Sequence, residues 1–252
     1  MKNQYFGDVN DYRKYGLLRL LKRRGARSVA ICWMLTEDDG KTDGRFTEYL
    51  ADPIKWRHYD PELYDALRHS VLKKKIRNVL EAESAQLIPH AWYYPRILKD
   101  SQADRLEYFR AFFQWSKPSD MVFFDPDNGI EVKSIPIGRK SSSKYIYWDE
   151  IVQAFSLGHS IVIYQHFGRV DRGFFIRTLI DEIARKTGAR ELFSFMTSNV
   201  VFLLLPHRNE VLSFEKCAQL VGRTWQGQIL PTFHNLTTGK EHNYSTALRL
   251  FS

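Results

Sequence analysis

ELFSFMTS and NVVFLLLPH, residues 191–207, are two strand-length apolar runs with almost no chain between them. A parallel crossover needs a dozen or more linking residues, so this pair can close only as an antiparallel hairpin. Upstream, strand-like and helix-like runs alternate. SVAICWML (28–35), DMVFFD (120–125) and HSIVIYQH (159–166) are short, apolar and β-rich. Between and after them, residues 103–115, 149–157, 173–186 and 210–221 repeat apolar side chains at helical spacing. Residues 11–22 carry leucines among basic residues and predict an amphipathic helix stopped by Gly25, and residues 61–83 predict one long helix. The prolines of AQLIPHAWYYP (85–95) leave that aromatic stretch open between strand and loop. Alternation ending in a hairpin predicts an α/β fold: an open, mostly parallel sheet with helices on both faces and a C-terminal antiparallel hairpin.

The chain of 252 residues, 44% of them hydrophobic, suits a single α/β domain over 1–252 with a helical insertion around 55–84. The tail at 224–252 mixes polar and aromatic residues and fixes no element. Residues 1–25 are studded with Lys and Arg and lack a continuous apolar core of the signal-peptide kind, and no run reaches the roughly 18 apolar residues of a spanning helix. The expectation is a cytoplasmic protein without a membrane partner. Cys32 and Cys217 form no disulfide framework or metal-ligand pattern, and the 8 histidines lack an H-x-x-x-H pair. No P-loop, G-x-S-x-G elbow or G-x-G-x-x-G turn is present, which argues against nucleotide triphosphatases, serine hydrolases and ordinary dinucleotide enzymes.

A count of 37 Lys+Arg against 29 Asp+Glu gives a formal charge of +8, which favours polyanions through counterion release. Nucleic acid, RNA or DNA, is the expected partner. The candidate phosphate contacts are Arg13, Arg19, Lys22 and Arg23 at the first helix, Lys73, Lys74 and Lys75 on a second, and Arg169.

The chemistry concentrates at strand ends. MVFFDPDNGIEVKS runs from four apolar residues into Asp125, Pro126, Asp127, Asn128 and Gly129. In open α/β sheets, ligands collect beyond the carboxyl ends of the strands, where loops diverge. Pro126 sets a turn there and Gly129 allows a positive φ. Three other strand ends are loaded similarly: Glu37, Asp38, Asp39 and Asp43 after CWML, the YYPR stretch of Tyr93 to Arg96, and Tyr164, Gln165, His166 and Arg169 in YQHFGR. All four are expected to line one rim.

The element order resembles the class I S-adenosylmethionine-dependent methyltransferases, whose sheet closes with such a hairpin. More specifically, GDVNDYRKYGLLRLL (7–21) resembles the N-terminal segment of the large-subunit ribosomal RNA adenine-N6 methyltransferase J family, approximately G-N-x-A-D-V-L-K-H before a leucine-rich helix. Gly7, Asp11 and Lys14 fall on matching positions, with Asp8 in place of Asn and Tyr15 in place of His. The resemblance implies S-adenosylmethionine as cofactor, held by Gly7, Asp11, Lys14 and the carboxylates of Asp38, Asp39 and Asp43. It also implies a catalytic strand end: Asp125 and Pro126 match the first half of that family's D-P-P-Y, where the acid accepts a hydrogen bond from the exocyclic amine of an extruded base. Asp127 and Asn128 replace the second half, so the stacking ring is expected from Phe124, Tyr93, Tyr94 or Phe167, with His166 opposite. The glycine-rich turn of the methyltransferases is also replaced, by TEDDGKTDGR (36–45).

The same residues support other readings. Asp125, Asp127, Asn128 and Glu131, with Asp8, Asp11, Asp38, Asp39 or Asp43, are hard oxygen donors suited to Mg²⁺ or Mn²⁺ in a nuclease or phosphodiesterase, although no diagnostic metal spacing is present. A noncatalytic nucleic-acid-binding module on the same fold is the third.

Overall fold

The computed structural model describes residues 1–38, 40, 44, 46–168, 170–207 and 209–244. Its strands are β1 (Val29–Cys32), β2 (Trp92–Tyr94), β3 (Met121–Phe124), β4 (Gly129–Ile130), β5 (Tyr145–Ile146), β6 (Ser160–His166), β7 (Glu191–Met196), β8 (Val200–Leu205), β9 (Leu230–Asn235) and β10 (Lys240–Asn243). Its α-helices are α1 (Val9–Arg24), α2 (Pro53–Trp56), α3 (Pro61–Arg68), α4 (Leu80–Ser84), α5 (Gln102–Ser116), α6 (Trp148–Ser156), α7 (Arg172–Thr187) and α8 (Val211–Thr224).

Eight strands form one sheet in the order β10-β9-β7-β8-β6-β3-β1-β2. β2, β1, β3 and β6 run parallel, whereas β8 is antiparallel to both β6 and β7, and β9 pairs antiparallel with β7 and β10. The sheet is therefore mixed, not mostly parallel. The hairpin expected at 191–207 forms, with Phe195 opposite Phe202. The difference comes from the tail, whose residues 230–243 form a second hairpin and continue the sheet along the β7 edge. Its strands carry Pro231, Thr232, His234 and Asn235 instead of an apolar alternation, so periodicity had nothing to register.

Period-two alternation sorts the strand residues between two layers of helices. Ile31, Phe123, Val162 and Phe202 pack with α1, α3 and α8, whereas Cys32, Phe124, Ile163 and Leu203 pack with α5, α6 and α7. Among the described residues no helix is long and apolar enough to cross a membrane.

Two helix expectations change in ways that shape the site. The first helix is not amphipathic in its opening turns: Asp11 through Leu18 are all buried. Tyr12 lies within an aromatic cluster with Tyr49, Trp56, Tyr64 and Trp225, and its hydroxyl donates to the Trp56 carbonyl at 3.0 Å, so the segment between β1 and β2 covers the face that would otherwise meet water. The long helix predicted over 61–83 is broken. After α3 a π turn spans His69–Lys73, Lys75 takes a left-handed φ of 59°, and the helix resumes only at α4. Ser70 Oγ and Lys74 Nζ both donate to Glu81, and Arg77 donates to the carbonyls of Gln4 and Gly44, fastening the broken stretch to the N-terminal segment.

Candidate functional site at the strand ends

At the carboxyl ends of β3 and β6 the start of α1 closes a cavity of about 590 Å³. Asp125 to Asn128 come from β3, Tyr164 and His166 from β6, Asn199 from the β7–β8 turn, and Asp8, Asn10, Asp11 and Lys14 from α1. Tyr5, Phe46 and Glu48 complete the mouth.

Asp8 is the N-cap of α1: its Oδ1 accepts from the N–H groups of Asn10 (2.8 Å) and Asp11 (2.9 Å), satisfying donors that the helix leaves unpaired. Six residues on, Lys14 is buried and bridges two carboxylates, Asp11 Oδ1 at 2.6 Å and Asp125 Oδ2 at 2.7 Å. Asp11 also accepts from the Gly7 N–H (2.9 Å) and the Tyr15 hydroxyl (3.2 Å). Gly7 has a φ of 80°, and a Cβ there would strike Val71, so the chain enters α1 along a path that only glycine takes. At β3, Pro126 follows the strand and Gly129 turns at a φ of 116°, as its place after Asn128 predicts. A Cβ on Gly129 would strike the Gln165 Oε1 that accepts the Ile130 N–H at 2.7 Å. The loop after β3 is thereby pinned to β6.

The Met1 amine stands in the same cavity, 2.6 Å from Asp127 Oδ1 and donating to the Asp125 carbonyl at 2.9 Å. Thr36 Oγ1 donates to the other Asp127 oxygen at 3.3 Å. At the end of β1, Met34 takes a φ of 46°, a rare backbone state for a long side chain.

Burial sets the protonation of the carboxyls. It raises Asp125 against the pull of Lys14 and the Met1 amine, while Asp11 and Asp125 together hold the buried Lys14 ammonium above its ordinary range. Asp8 has no cation at salt-bridge distance among the described residues, and burial plus the neighbouring Asp11 raise its pKa to about 7. A carboxyl protonated in the folded state but ionised in the unfolded chain draws stability from low pH: that contribution is complete below pH 4 and is lost as the pH rises toward 7. Asp8→Asn keeps the cap and removes the titration. Denaturation midpoints between pH 5 and pH 8 are expected to fall less steeply in Asp8→Asn than in the parent protein, and a carboxyl-carbon NMR titration will place Asp8 near neutral pH. An Asp8 that titrates near pH 4 would contradict this assignment.

The remaining sequence-derived candidates divide. Asp11 and Lys14 meet Asp125, Pro126, Asp127, Asn128 and His166 at the cavity, whereas Gly7 is not in its lining and reaches it only through the N–H it donates to Asp11. Asp38 is exposed and accepts from the Gln4 N–H at 3.3 Å; Asp39, Asp43 and Arg169 lie outside the described residues. Arg13 is buried, with its guanidinium on Gln228 Oε1 (2.7 Å) and over the Trp56 ring; Arg19 holds Asp60 (2.7 Å) and Glu62 (2.9 Å). Neither presents a free guanidinium to a phosphate. Lys22 is half-buried, and Arg23, Lys73, Lys74 and Lys75 are exposed. YYPR does not share the rim: Tyr93 and Tyr94 are buried, and Arg96 lies 3.8 Å from Glu107 on the surface. Phe124 is also in the core, and Phe167 packs edge-on against Phe175 beneath Arg172. The rings at the cavity are instead Tyr5, Phe46 and Tyr164, with Phe46 60% exposed at the mouth. A large exposed ring inside the polar GRFTE stretch was the one sequence signal for Phe46; Tyr5 gave none. Glu131 lies apart, in a second cleft with Lys133, Trp148 and Lys186.

No protein-family model matches the chain, and no curated protein matches it either.

Proposed function

We propose that this protein is a methyltransferase-like α/β protein that binds S-adenosylmethionine in the strand-end cavity and acts on nucleic acid, with an exocyclic base amine as methyl acceptor. One observation carries the reading: Lys14, from the segment that resembles the adenine-N6 methyltransferases, reaches Asp125 of the strand end that carries their first two motif residues, 111 positions away in sequence, at 2.7 Å. Two short and separate likenesses thus belong to one site. The parallel run β2-β1-β3-β6, followed by β8 lying antiparallel between β6 and β7, agrees with the closing hairpin of that fold.

The cavity suits the cofactor. Its volume lies within the range of small-molecule sites, its rings offer stacking surface, and its carboxylates complement a ligand bearing an ammonium and a sulfonium. S-adenosylmethionine supplies an electrophilic methyl group when bound. Asp125 accepts Lys14 on Oδ2 and no hydrogen bond from the described residues on Oδ1, which is the acceptor available to the amine of a base. Tyr164 stays protonated, because burial and then Asp8 raise its pKa, and its hydroxyl makes no hydrogen bond with the described residues. The positive charge of +8 and the exposed Lys73 to Lys75 run support a polyanionic substrate.

The metal-dependent alternative has less to work with. Among the described residues no three His, Cys, Asp or Glu side chains are grouped to hold a cation, and the Lys14 ammonium fills the space between Asp11 and Asp125. Calorimetric titration with S-adenosylmethionine and, separately, with Mg²⁺ or Mn²⁺ distinguishes the two. Saturable cofactor binding, with methyl transfer to RNA or DNA from labelled cofactor, is expected; metal binding alone, lost in Asp125→Asn, would replace this reading with the hydrolase.

A further inference from the structure

We infer, on the reading above that the substrate is a nucleic acid, that the loop between β4 and β5 grips its phosphate backbone beside the cavity.

From Val132 to Lys144 the chain reads VKSIPIGRKSSSK, with four cations and no acid. Lys133, Arg139 and Lys140 are exposed and Lys144 is half-buried, and none of the four has an acid at salt-bridge distance among the described residues. In this they differ from the arginines of α1, where Arg13 and Arg19 are engaged by Gln228, Asp60 and Glu62. The acids around the loop do not neutralise it. The Asp100 carboxylate accepts the N–H groups of Ser141 and Ser143, both at 2.8 Å, and Glu150 is held by Arg105. In the second cleft Glu131 and Glu182 are outnumbered by Lys133, Arg185 and Lys186. Asp104 and Asp149, exposed in the first turns of α5 and α6, make no ion pair with the loop.

A second, independent set of contacts places this charge at the cavity. The N–H of Asn128, which lines the cavity, donates to the Lys144 carbonyl at 2.9 Å, and Gly129 and Ile130 pair with Tyr145 and Ile146. Both ends of the loop are thereby fixed to the segment that continues from Asp125 to Asn128. The backbone between them is held as well: the Tyr147 hydroxyl donates to the Ile135 carbonyl at 2.7 Å, and Arg105 donates to the Ser142 carbonyl at 3.2 Å. A backbone ordered in advance leaves only side chains to be fixed when a ligand binds, which lowers the cost of association. Cations strung along such an exposed loop suit a chain of repeated phosphates.

Fluorescence anisotropy with labelled single-stranded RNA and DNA oligonucleotides, at a series of salt concentrations, tests the inference on the full chain. The triple variant Lys133→Gln, Arg139→Gln, Lys140→Gln is expected to bind about tenfold or more weakly, and its slope of log affinity against log salt to fall by about 2. A control triple variant, Lys117→Gln, Lys216→Gln, Lys240→Gln, loses the same charge from exposed positions elsewhere and is expected to change affinity by less than about twofold. Thermal denaturation of both variants at the parental midpoint confirms that they fold. Equal losses in the two variants, or a loop variant that binds with the parental affinity and salt slope, overturn the role of the loop and leave the nucleic-acid reading standing. A parent protein that binds neither oligonucleotide overturns that reading and the role of the loop with it.

Discussion

Lys14→Met is expected to cost the fold about 3–5 kcal/mol, because it strands two buried carboxylates that now share one ammonium. Methionine keeps the length and apolar stem of lysine, so the loss isolates the charge and not the packing. The pH dependence separates this from a generic core defect. Burial already pushes Asp125 upward with Lys14 in place; without the ammonium it rises further, and protonation relieves the unpaired charge. The difference between Lys14→Met and the parent protein in urea denaturation is therefore expected to be largest near pH 8 and to shrink toward pH 5. Adding Asp125→Asn to Lys14→Met should recover part of the stability. A loss that is constant with pH, or below about 1 kcal/mol, would mean that the pair contributes no more than an exposed surface ion pair.

Arg105→Met is expected to show the second large effect, again about 3–5 kcal/mol. Arg105 is 2% exposed and grips Glu150 with Nε (2.6 Å) and Nη2 (2.7 Å) while donating to the carbonyls of Ser142 (3.2 Å) and Tyr145 (2.7 Å). Its guanidinium also lies over the rings of Phe109 and Tyr147. One side chain thus joins α5, the loop before β5 and the start of α6. Removing it leaves Glu150 buried and uncompensated, with burial already raising that carboxyl. The damage should reach the cavity, because the loop Arg105 holds is the one that fixes Asn128: the Asn128 N–H donates to the Lys144 carbonyl at 2.9 Å, and Gly129 pairs with Tyr145. Hydrogen exchange in Arg105→Met is expected to quicken at 128–146 before the central strands respond. Arg57→Met, which breaks an exposed pair with Asp65, serves as the control and should leave the denaturation midpoint unmoved.

The elements that were legible in the sequence are those whose own side chains enforce them. β3 and β6 are continuous apolar runs because both of their faces are covered, and the β7–β8 hairpin followed from the lack of linking chain. What stayed hidden depended on partners far away in sequence. Arg13 and Arg19 read as wet, phosphate-seeking residues because nothing nearby announces Gln228, Trp56 or Asp60. β9 and β10 are polar strands whose edge position, not their pattern, makes them strands. The broken helix after α3 is pinned by Ser70, Lys74 and Arg77 to groups that helical spacing does not reveal. In the candidate site, Asp125 and His166 were findable because polar groups at the ends of apolar strands stand out, and Lys14 was findable only through the resemblance of residues 7–21. Tyr5, Phe46, Glu48 and Asn199 were not, since they come from turns and loops that only the folded chain brings to the cavity.

The space between the start of α1 and the end of β3 is the proposed cofactor site. Hydrogen-exchange mass spectrometry with and without saturating S-adenosylmethionine tests it at the residues concerned. Slowed exchange is expected in two separate segments, 7–14 and 125–128, with the β9–β10 hairpin unchanged. If saturating cofactor leaves both segments exchanging as before, or slows amides only elsewhere, the cavity is not the site claimed.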